Sequence, residues 1–213
     1  MKLARPDVFH PRIVLAGPGD DPGVVAALRQ RGLHARWLPW DDPATLRADL
    51  VILRARPDDP SRRDEFLAWI RRVRHLLNPP DAVAWNLDER YLRDLADTGV
   101  PTLPGATARS TLIFLGGKQS HGWPGEPEFE CWDVGHAAVA AAADRARVAV
   151  GELLYARVDV NDDRVVGLDL VAPSLGWGRL DPHTRQLAQR EFALAVESAC
   201  ERLGLGPLSH RRP

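Results

Sequence analysis

Short apolar runs alternate with helical patterns through the first half of the chain. Apolar residues are continuous at 13–16 and 50–53 and frequent at 35–40, so we expect strands at 12–17, 35–40 and 50–53. Between the first two, apolar positions of 23–32 recur at helical spacing, and Gly32 marks the helix end. This order of strand, helix, strand, short helix and strand is typical of a parallel α/β sheet.

A longer helical pattern follows the third strand. We expect a helix from Ser61 to the Asn78-Pro79-Pro80 sequence, because apolar residues repeat every three or four positions at Phe66, Trp69, Ile70, Val73 and Leu77. The next helix is expected to be capped by Asn86, with Glu89 three residues on, and to stop at Gly99. A fourth short strand at 100–103 would complete a compact βα unit over residues 1–105.

The second half has a different pattern. We expect a strand at 111–115, an irregular segment at 122–133 and an alanine-rich helix at 134–150. Two alternating runs at 153–160 and 165–171 flank the polar turn 161–163 and predict a β-hairpin. A long helix is expected within 180–203, capped by Asp181 and followed by Gly204. Its expected buried side consists of Leu187, Phe192, Leu194, Val196 and Ala199.

Charge and composition exclude several classes of protein. The chain has 213 residues with 28 basic and 29 acidic side chains, a formal charge of −1, which argues against nucleic-acid binding. No apolar run approaches the ~18 residues of a membrane span, and no apolar leader is visible. We therefore expect a cytoplasmic protein with Cys131 and Cys200 as reduced thiols. The basic residues include only two lysines, Lys2 and Lys118, which excludes chemistry that needs several lysines against phosphate.

Two candidate motifs have simple explanations. Gly17-Pro18-Gly19 follows the first strand but lacks the rest of a glycine-rich phosphate motif, so we interpret it as a turn. The closest group of metal-binding side chains is His121, Cys131 and His136, and its spacing fits no zinc template.

The predicted hairpin carries the more specific cluster. Asp159 and Asp169 lie on its two arms, where two carboxylates on facing strands can share a divalent ion. Arg157 shares a face with Asp159 because it lies two residues away on the same strand. The alternative is a solvated sheet face with cross-strand ion pairs.

Seven segments in order carry a family resemblance. They are RGLHARWLPWDDP (31–43), LVILRA (50–55), EFLAWIRRV (65–73), LLNPPDAVAWNLDERYLRDLADTGVPTLP (76–104), STLIFLGGKQSHG (110–122), LLYARVDV (153–160) and LDLVAPSLGW (168–177). Together they resemble the small bacterial ATP-grasp proteins related to the cycloserine-forming ligase and to glutathione-synthetase-like enzymes. The resemblance implies a pre-ATP-grasp parallel α/β domain over residues 1–105. It also implies a C-terminal ATP-grasp core, mainly antiparallel sheet with helices, over residues 106–213.

The resemblance also implies a chemistry and a missing part. Family members join a carboxylate to an amine through an acyl phosphate, with ATP between a lid subdomain and the core and magnesium on core carboxylates. Here only residues 105–109 separate the TLP sequence at 102–104 from STLIFLGG. The core is therefore expected to be reduced and to lack the lid.

Single positions depart from the family pattern in the same direction. Glu89 replaces a family lysine, Lys118 replaces a family acid, and Asp169 is the one acid kept of three in the hairpin. The family-type side chains that remain are Arg54, Asn86, Tyr91, Ser120, His121, Arg157, Asp159, Asp169 and Ser174. We expect ligand or phosphate binding by Arg54, Ser120, His121 and Arg157. We expect metal binding, if any, at Asp159 and Asp169, and no catalytic residue.

These departures favour a degenerate, non-catalytic ATP-grasp-like protein that acts as a binding or interaction module, with no cofactor. The alternative is an ATP- and magnesium-dependent carboxylate–amine ligase whose lid comes from a partner chain. A third hypothesis is another small-molecule enzyme or binder that uses Ser120 and His121. Because Trp123, Trp132 and Trp177 lie near the missing segment, we expect exposed aromatic surface and a homodimer or a protein partner. A small-molecule ligand is a further expected partner, and neither nucleic acid nor a membrane is expected.

Overall fold

The computed structural model describes residues 9–19, 23–57 and 59–206. Its first sheet, sheet A, contains β1 (Ile13–Ala16), β2 (Ala35–Leu38), β3 (Leu50–Leu53) and β4 (Leu76–Leu77). All of its pairings are parallel, in the order β2-β1-β3-β4. The connections contain α1 (Val24–Gln30), 3-10 helices at Pro43–Arg47 and Pro60–Arg62, and α2 (Arg63–Arg72). β1 and β3 are buried along their whole length, which explains why they are continuous apolar runs in the sequence.

The second sheet, sheet B, is antiparallel. It contains β5 (Ser110–Leu115), β6 (Lys118–Trp123), β7 (Tyr155–Asn161) and β8 (Arg164–Asp169), in the order β6-β5-β7-β8. Four further helices are α3 (Pro80–Asn86), α4 (Tyr91–Asp97), α5 (Phe129–Ala146) and α6 (Pro182–Arg202). The fold is therefore mixed α/β, with a parallel sheet followed by an antiparallel one, as expected from the sequence.

Helices lie between the sheets and on both outer sides. A core between the sheets joins Leu15 of β1, Leu28 of α1, Ile113 of β5 and Phe192 of α6. A second core packs α3, α4 and α5 on the far face of sheet B. A third packs α2 on the far face of sheet A. Because the central core draws on both sheets, sites formed by the two halves are held in one packed body. The division at residue 105 stays a prediction.

Two buried asparagines fix the α3 region against the hairpin of β7 and β8. Asn78 Nδ2 donates hydrogen bonds of 2.8 Å to the carbonyl oxygens of Tyr155 and Leu170. Asn86 Nδ2 donates to the Leu168 carbonyl at 3.0 Å, and its Oδ1 accepts from the Leu170 amide at 2.7 Å. A carboxamide has both donors and acceptors, so each side chain pairs with a strand as a neighbouring backbone does.

The role predicted for Asn86 was therefore wrong. Asn86 is the last residue of α3 and is 4% exposed, and α4 begins at Tyr91 after Arg90 with no side-chain cap. The Asx capping pattern with Glu89 is present in the sequence, but the side chain of Asn86 instead forms hydrogen bonds with backbone groups at the end of β8. Local capping rules do not register such a long-range partner.

The helix expected over 61–77 is shorter in the structure. α2 ends at Arg72, Val73 is extended, and Leu77 lies in β4. Leu76 and Leu77 pair with Val51 and Ile52 of β3, so burial in the sheet overrides their helical spacing. β4 takes the fourth position in sheet A. The strand expected at 100–103 is reduced to one isolated parallel bridge between Thr102 and Val165.

Three expectations for the second half need correction. β6 was not predicted, because its sequence KQSHGW is mostly polar, and α5 begins at Phe129 inside the segment expected to be irregular. Leu187 and Leu194 of α6 are 45% and 38% exposed rather than buried. Trp132 and Trp177 are 5% and 4% exposed, so they form core and not the exposed aromatic surface that was expected.

Other predictions are confirmed. β1, β2, β3, β5 and the β7–β8 hairpin lie where the pattern placed them. Asp181 caps α6 by accepting hydrogen bonds from the amides of His183 and Thr184, with Pro182 in the first helical position. Cys131 and Cys200 are buried free thiols. Within the described residues, no helix combines the length and the apolarity needed to cross a bilayer.

Candidate functional site

A deep cleft opens at the carboxyl end of sheet A. β1 connects to β2 on one side, and β3 connects to β4 on the other, so the strand order reverses between β1 and β3. In parallel α/β sheets, ligands bind outside the carboxyl ends of strands at such a reversal. The cleft here has a volume of about 860 Å³ and is lined by residues that follow β1, β2 and β3 and by Ala172 and Ser174 after β8. It is therefore a shared site of the two sheets.

Gly17 allows the end of β1 to approach the end of β3. A Cβ at this position would lie 2.5 Å from the carbonyl oxygen of Arg54. Gly19 has a φ of +86° and faces Trp37, whose Cγ would lie 3.6 Å from an added Cβ. The two glycines thus have conformational and packing roles at the cleft wall. Residues 20–22 of the expected turn lie outside the described residues.

Three arginines line the cleft, each held by neighbouring groups. Arg54 is buried, and its Nη2 donates to the Pro173 carbonyl at 2.8 Å. Arg56 forms an ion pair with Asp169 at 2.7 Å. Arg62 forms an ion pair with Asp41 at 2.9 Å. Arg54 thus contacts the segment after β8, and Arg56 contacts the last residue of β8. Both arginines follow β3, so they connect sheet A to sheet B at the cleft.

Indole rings form the apolar wall of the cleft. Trp37 and Trp40 both line it, and the guanidinium of Arg62 lies 4.5 Å from the Trp40 ring centroid. Sequence reasoning identified Arg54 but missed Trp37, Trp40, Arg56 and Arg62. The signal available was position, since WLPW (37–40) ends one predicted strand of a parallel sheet and RAR (54–56) directly follows another.

Arg157 and Asp159 pair with each other on the open face of sheet B. Arg157 Nε and Nη2 each donate to Asp159 Oδ1 at 3.0 Å, and the Thr111 hydroxyl donates to the same oxygen at 2.6 Å. Both side chains are partly exposed, at 31% and 24%. Arg157 and Asp159 thus share a face of β7, as predicted, and the structure adds a direct ion pair between them.

Asp169 lies on the same face but has other partners. Its Cα pairs with that of Arg157 across the hairpin. Its Oδ1, however, accepts from the amides of Val171 at 2.9 Å and Ala172 at 3.2 Å, and it pairs with Arg56. Among the described residues, no group of three or more histidine, cysteine, aspartate or glutamate side chains has a metal-binding arrangement. Metal binding by the pair Asp159 and Asp169 stays a prediction.

A β-bulge brings Ser120 and His121 together. Ile113 pairs with His121 and Phe114 pairs with Gln119, which leaves Ser120 as the extra residue of β6. Successive strand residues normally point to opposite faces, and a bulge re-aims one of them. Ser120 Oγ lies 3.0 Å from His121 Nδ1, and it donates to Glu191 Oε2 of α6 at 2.5 Å.

The buried imidazole of His121 is anchored at its other nitrogen. Nε2 lies 2.7 Å from the carbonyl oxygen of Leu175, which can only accept, so Nε2 carries a proton. Burial lowers the pKa of His121, and the Leu175 carbonyl and the Glu191 charge oppose this shift. Ser120 and His121 therefore link β6 to α6 and to the segment after β8, and they do not line the cleft.

Comparisons with known proteins agree with this architecture. Residues 7–78 match the family model of the N-terminal domain of D-cycloserine synthetase DcsG. A cycloserine biosynthesis protein DcsG of Streptomyces lavendulae is 39% identical over 90 residues, which cover 40% of this chain and 30% of that protein. The matched stretch thus spans less than a third of this curated relative.

Solved structures extend the likeness to nearly the whole fold. The crystal structure of D-cycloserine synthetase DcsG superposes with a TM-score of 0.72 at 21% identity, covering 90% of this chain and 99% of that one. The macrocyclase MdnC of Microcystis aeruginosa MRC, bound with precursor peptide MdnA, has a TM-score of 0.57 at 11% identity, covering 87% and 99%. The ATP-grasp ligase PsnB, complexed with precursor peptide PsnA2 and AMPPNP, has a TM-score of 0.55 at 15% identity, covering 92% and 100%.

At these identities the superpositions establish the fold alone. The chain therefore has an ATP-grasp-like α/β fold, and its N-terminal part is similar in sequence to the N-terminal domain of cycloserine synthetase DcsG.

Proposed function

We propose that this chain is a non-catalytic ATP-grasp-like protein that binds a small anionic ligand in the cleft at the carboxyl end of sheet A. The observation that carries the proposal is the pairing of both candidate metal acids with the chain's own arginines. Asp159 binds Arg157, and Asp169 binds Arg56 and two backbone amides. Magnesium at either carboxylate would have to displace these contacts, so the residues present fit the ion poorly.

The charge on the open face of sheet B also opposes nucleotide binding. The two arginines and the two aspartates cancel, which leaves no excess positive charge for a triphosphate. Phosphoryl transfer depends on cations that neutralise the charge developing on the transferred group. Among the described residues, the one lysine is Lys118, an exposed residue at the start of β6.

The short connection between the two sheets supports the absence of a lid. Thr102 bridges to Val165 of β8, and β5 begins at Ser110. The residues between them are already bonded to sheet B, since the amides of Leu103 and Arg109 donate to carbonyl oxygens of Val165 and Val160. An acyl phosphate hydrolyses readily in water, so a ligase needs closure over it. This chain has no segment here to supply that closure.

The cleft itself favours an anionic ligand with a flat or apolar part. Trp37 and Trp40 offer ring surface, and Arg56, 45% exposed, has guanidinium donors beyond its bond to Asp169. A carboxylate is one of the anions that a guanidinium can bind with two parallel hydrogen bonds. We therefore expect an aromatic or heterocyclic carboxylate or sulfonate to bind there.

A second candidate is an ATP- and magnesium-dependent carboxylate–amine ligase completed by a partner chain. It is favoured by the fold similarity to ATP-grasp ligases, one of them complexed with a peptide and AMPPNP, and by the partial exposure of Arg157. A partner, either a second copy or another protein, would supply the lid. This candidate requires that the Arg157–Asp159 pair opens when the partner binds.

Titration calorimetry and a phosphate-release assay separate the two candidates. We expect no saturable heat from ATP with magnesium or from ADP, and no phosphate release above the buffer rate. The fluorescent anion 1-anilinonaphthalene-8-sulfonate is the probe for the cleft. We expect Arg56→Ala to weaken its binding about tenfold, because a charge-assisted hydrogen bond is lost.

Arg90→Ala is the matched control, since Arg90 pairs only with Asp88 of its own loop. Equal probe affinity in both variants would overturn binding in the cleft. Magnesium-dependent ATP hydrolysis that Arg157→Ala abolishes would overturn the non-catalytic assignment in favour of the ligase.

A further inference from the structure

A second concave site lies at the opposite, amino end of sheet A. A groove of about 580 Å³ runs between the residues that precede β1 and β2 and the 3-10 helix Pro43–Arg47. Its floor is apolar and includes Val14 and Ala48, which belong to the same core cluster on one face of sheet A. The cleft described above is built from the carboxyl ends of the same strands, and the two sites share no lining residue.

The rim of the groove carries positive charge that nothing in the groove neutralises. Among the described residues, Arg36 and Arg47 form no ion pair and no side-chain hydrogen bond, and no acid lines the groove. Arg12 also lines the groove, but its guanidinium is paired with Asp49. Its Nε and Nη2 each donate a hydrogen bond of 3.0 Å to a carboxylate oxygen of that residue. Among the described residues, Asp49 is therefore already paired with Arg12, and the guanidinium groups of Arg36 and Arg47 stay without an acidic partner.

Two histidines complete the rim. His10 and His34 are exposed and lie edge to face with ring centroids 6.0 Å apart. An imidazole N–H donates to an anion in either charge state, and a guanidinium presents a planar fork of donors that matches phosphate oxygens. An apolar floor below such a rim suits an organic group attached to the anion. The size of the groove suits a compact ligand.

We infer that this groove binds a small phosphomonoester, with the phosphate between Arg36 and Arg47 and its organic group on the floor formed by Val14 and Ala48. The phosphate carries nearly two negative charges at neutral pH and offers three acceptor oxygens, which two arginines and a histidine can satisfy together. The site is independent of the cleft and of the presence or absence of ATP chemistry.

Calorimetric titration of the whole chain with phenyl phosphate tests this inference. We expect saturable binding that is at least severalfold tighter than that of inorganic phosphate, because the ring adds apolar contact. Arg36→Ala and Arg47→Ala should each weaken phenyl phosphate about tenfold. Arg93→Ala is the matched control, because it removes an equally exposed arginine from α4, and it should leave the affinity unchanged.

Three results would overturn the inference. The first is the absence of saturable binding of phenyl phosphate. The second is that Arg93→Ala weakens this binding as much as Arg36→Ala and Arg47→Ala do, which would indicate attraction to the overall charge of the chain. The third is loss of binding in Arg56→Ala with retention in Arg36→Ala and Arg47→Ala, which would place the phosphate in the cleft. Circular dichroism of each variant distinguishes lost binding from lost folding. Both groove arginines are exposed, so we expect the variants to keep their fold.

Discussion

The open face of sheet B and the groove at the amino end of sheet A both present arginines, but they differ in what neutralises them. On sheet B, Arg157 binds Asp159 with two nitrogens, and the Thr111 hydroxyl binds the same carboxylate. In the groove, Arg36 and Arg47 have no acidic partner among the described residues. The arginine that resembles the family pattern is therefore neutralised within the protein, whereas the two groove arginines, which no motif marked, have no acidic partner among the described residues.

Packing explains the difference. The Arg157–Asp159 pair lies beside half-buried Trp123, with the Arg157 guanidinium 5.9 Å from its ring centroid, so its charges are partly removed from water. A partly desolvated charge needs a partner within the protein. Arg36 lies on the edge strand β2, where water solvates it and no such requirement acts.

The comparison assumes that the buried hydrogen bonds around sheet B stabilise the fold, and a substitution at Asn78 tests this assumption most directly. Asn78→Ala removes the side chain that bonds Leu154, Tyr155 and Leu170 and leaves buried backbone groups without partners. We expect a loss of about 3–5 kcal/mol in the free energy of unfolding, because several buried polar groups lose hydrogen bonds at once. Urea unfolding followed by circular dichroism measures it.

Asn161→Ala provides the same chemical change at a less buried position. Its side chain makes one exposed hydrogen bond, to the Thr107 carbonyl at 2.8 Å, so the loss should stay below about 1 kcal/mol. Similar losses in the two variants would show that Asn78 does not hold the sheets together.

The next test addresses the ion pair itself. Arg157→Ala should lower the free energy of unfolding by about 1–2 kcal/mol, because Asp159 is left partly buried without its cation. Arg109→Ala breaks the ion pair with Asp162, whose partners are 70% and 67% exposed, and should cost less than about 0.5 kcal/mol. A purely structural pair would be contradicted if magnesium raised the free energy of unfolding of the wild type and raised it further in Arg157→Ala.

The pH dependence of stability sharpens the contrast at the bulge of β6. Burial lowers the pKa of His121 below its value in the unfolded chain, so the unfolded state binds the proton more readily. The neutral form therefore contributes stability that is full above pH ~6.5. That contribution is lost as the pH falls below this value. Urea midpoints at pH 7.5, 6.5 and 5.5 should decline, and His121→Gln should flatten the decline. An unchanged slope in the variant would assign it to other groups.

Thiol labelling gives the smallest effect and reports on the two sides of sheet B separately. Burial raises the pKa of Cys200, between the sheets, to about 11, and it also raises the pKa of Cys131, which lies in the first turn of α5. Both thiols should react slowly with Ellman's reagent in the native state. Cys131 should react first, since it is 7% exposed against 3% for Cys200. The reverse order would indicate that the layer between the sheets opens more easily.

The sequence predicts a feature of this protein when the pattern that marks the feature lies within a few neighbouring residues. β1, β3 and the β7–β8 hairpin were predictable because their burial repeats within a few residues. β4 was not, because its two leucines also fit the helical repeat of α2. At the site, Arg54, Arg157 and Asp159 were named from sequence. The indole wall at Trp37 and Trp40 required knowing that three strand ends meet at one edge.

The sequence by itself determined the α/β class, most of the elements, the reduced thiols and the family resemblance, because local periodicity and short motifs carry that information. Tertiary structure decided what the polar residues do. Asn86 bonds β8 instead of capping a helix, and Asp169 turns to Arg56 instead of joining Asp159. Hydrogen bonds and ion pairs form between groups distant in sequence, so their partners are fixed only when the two sheets pack together.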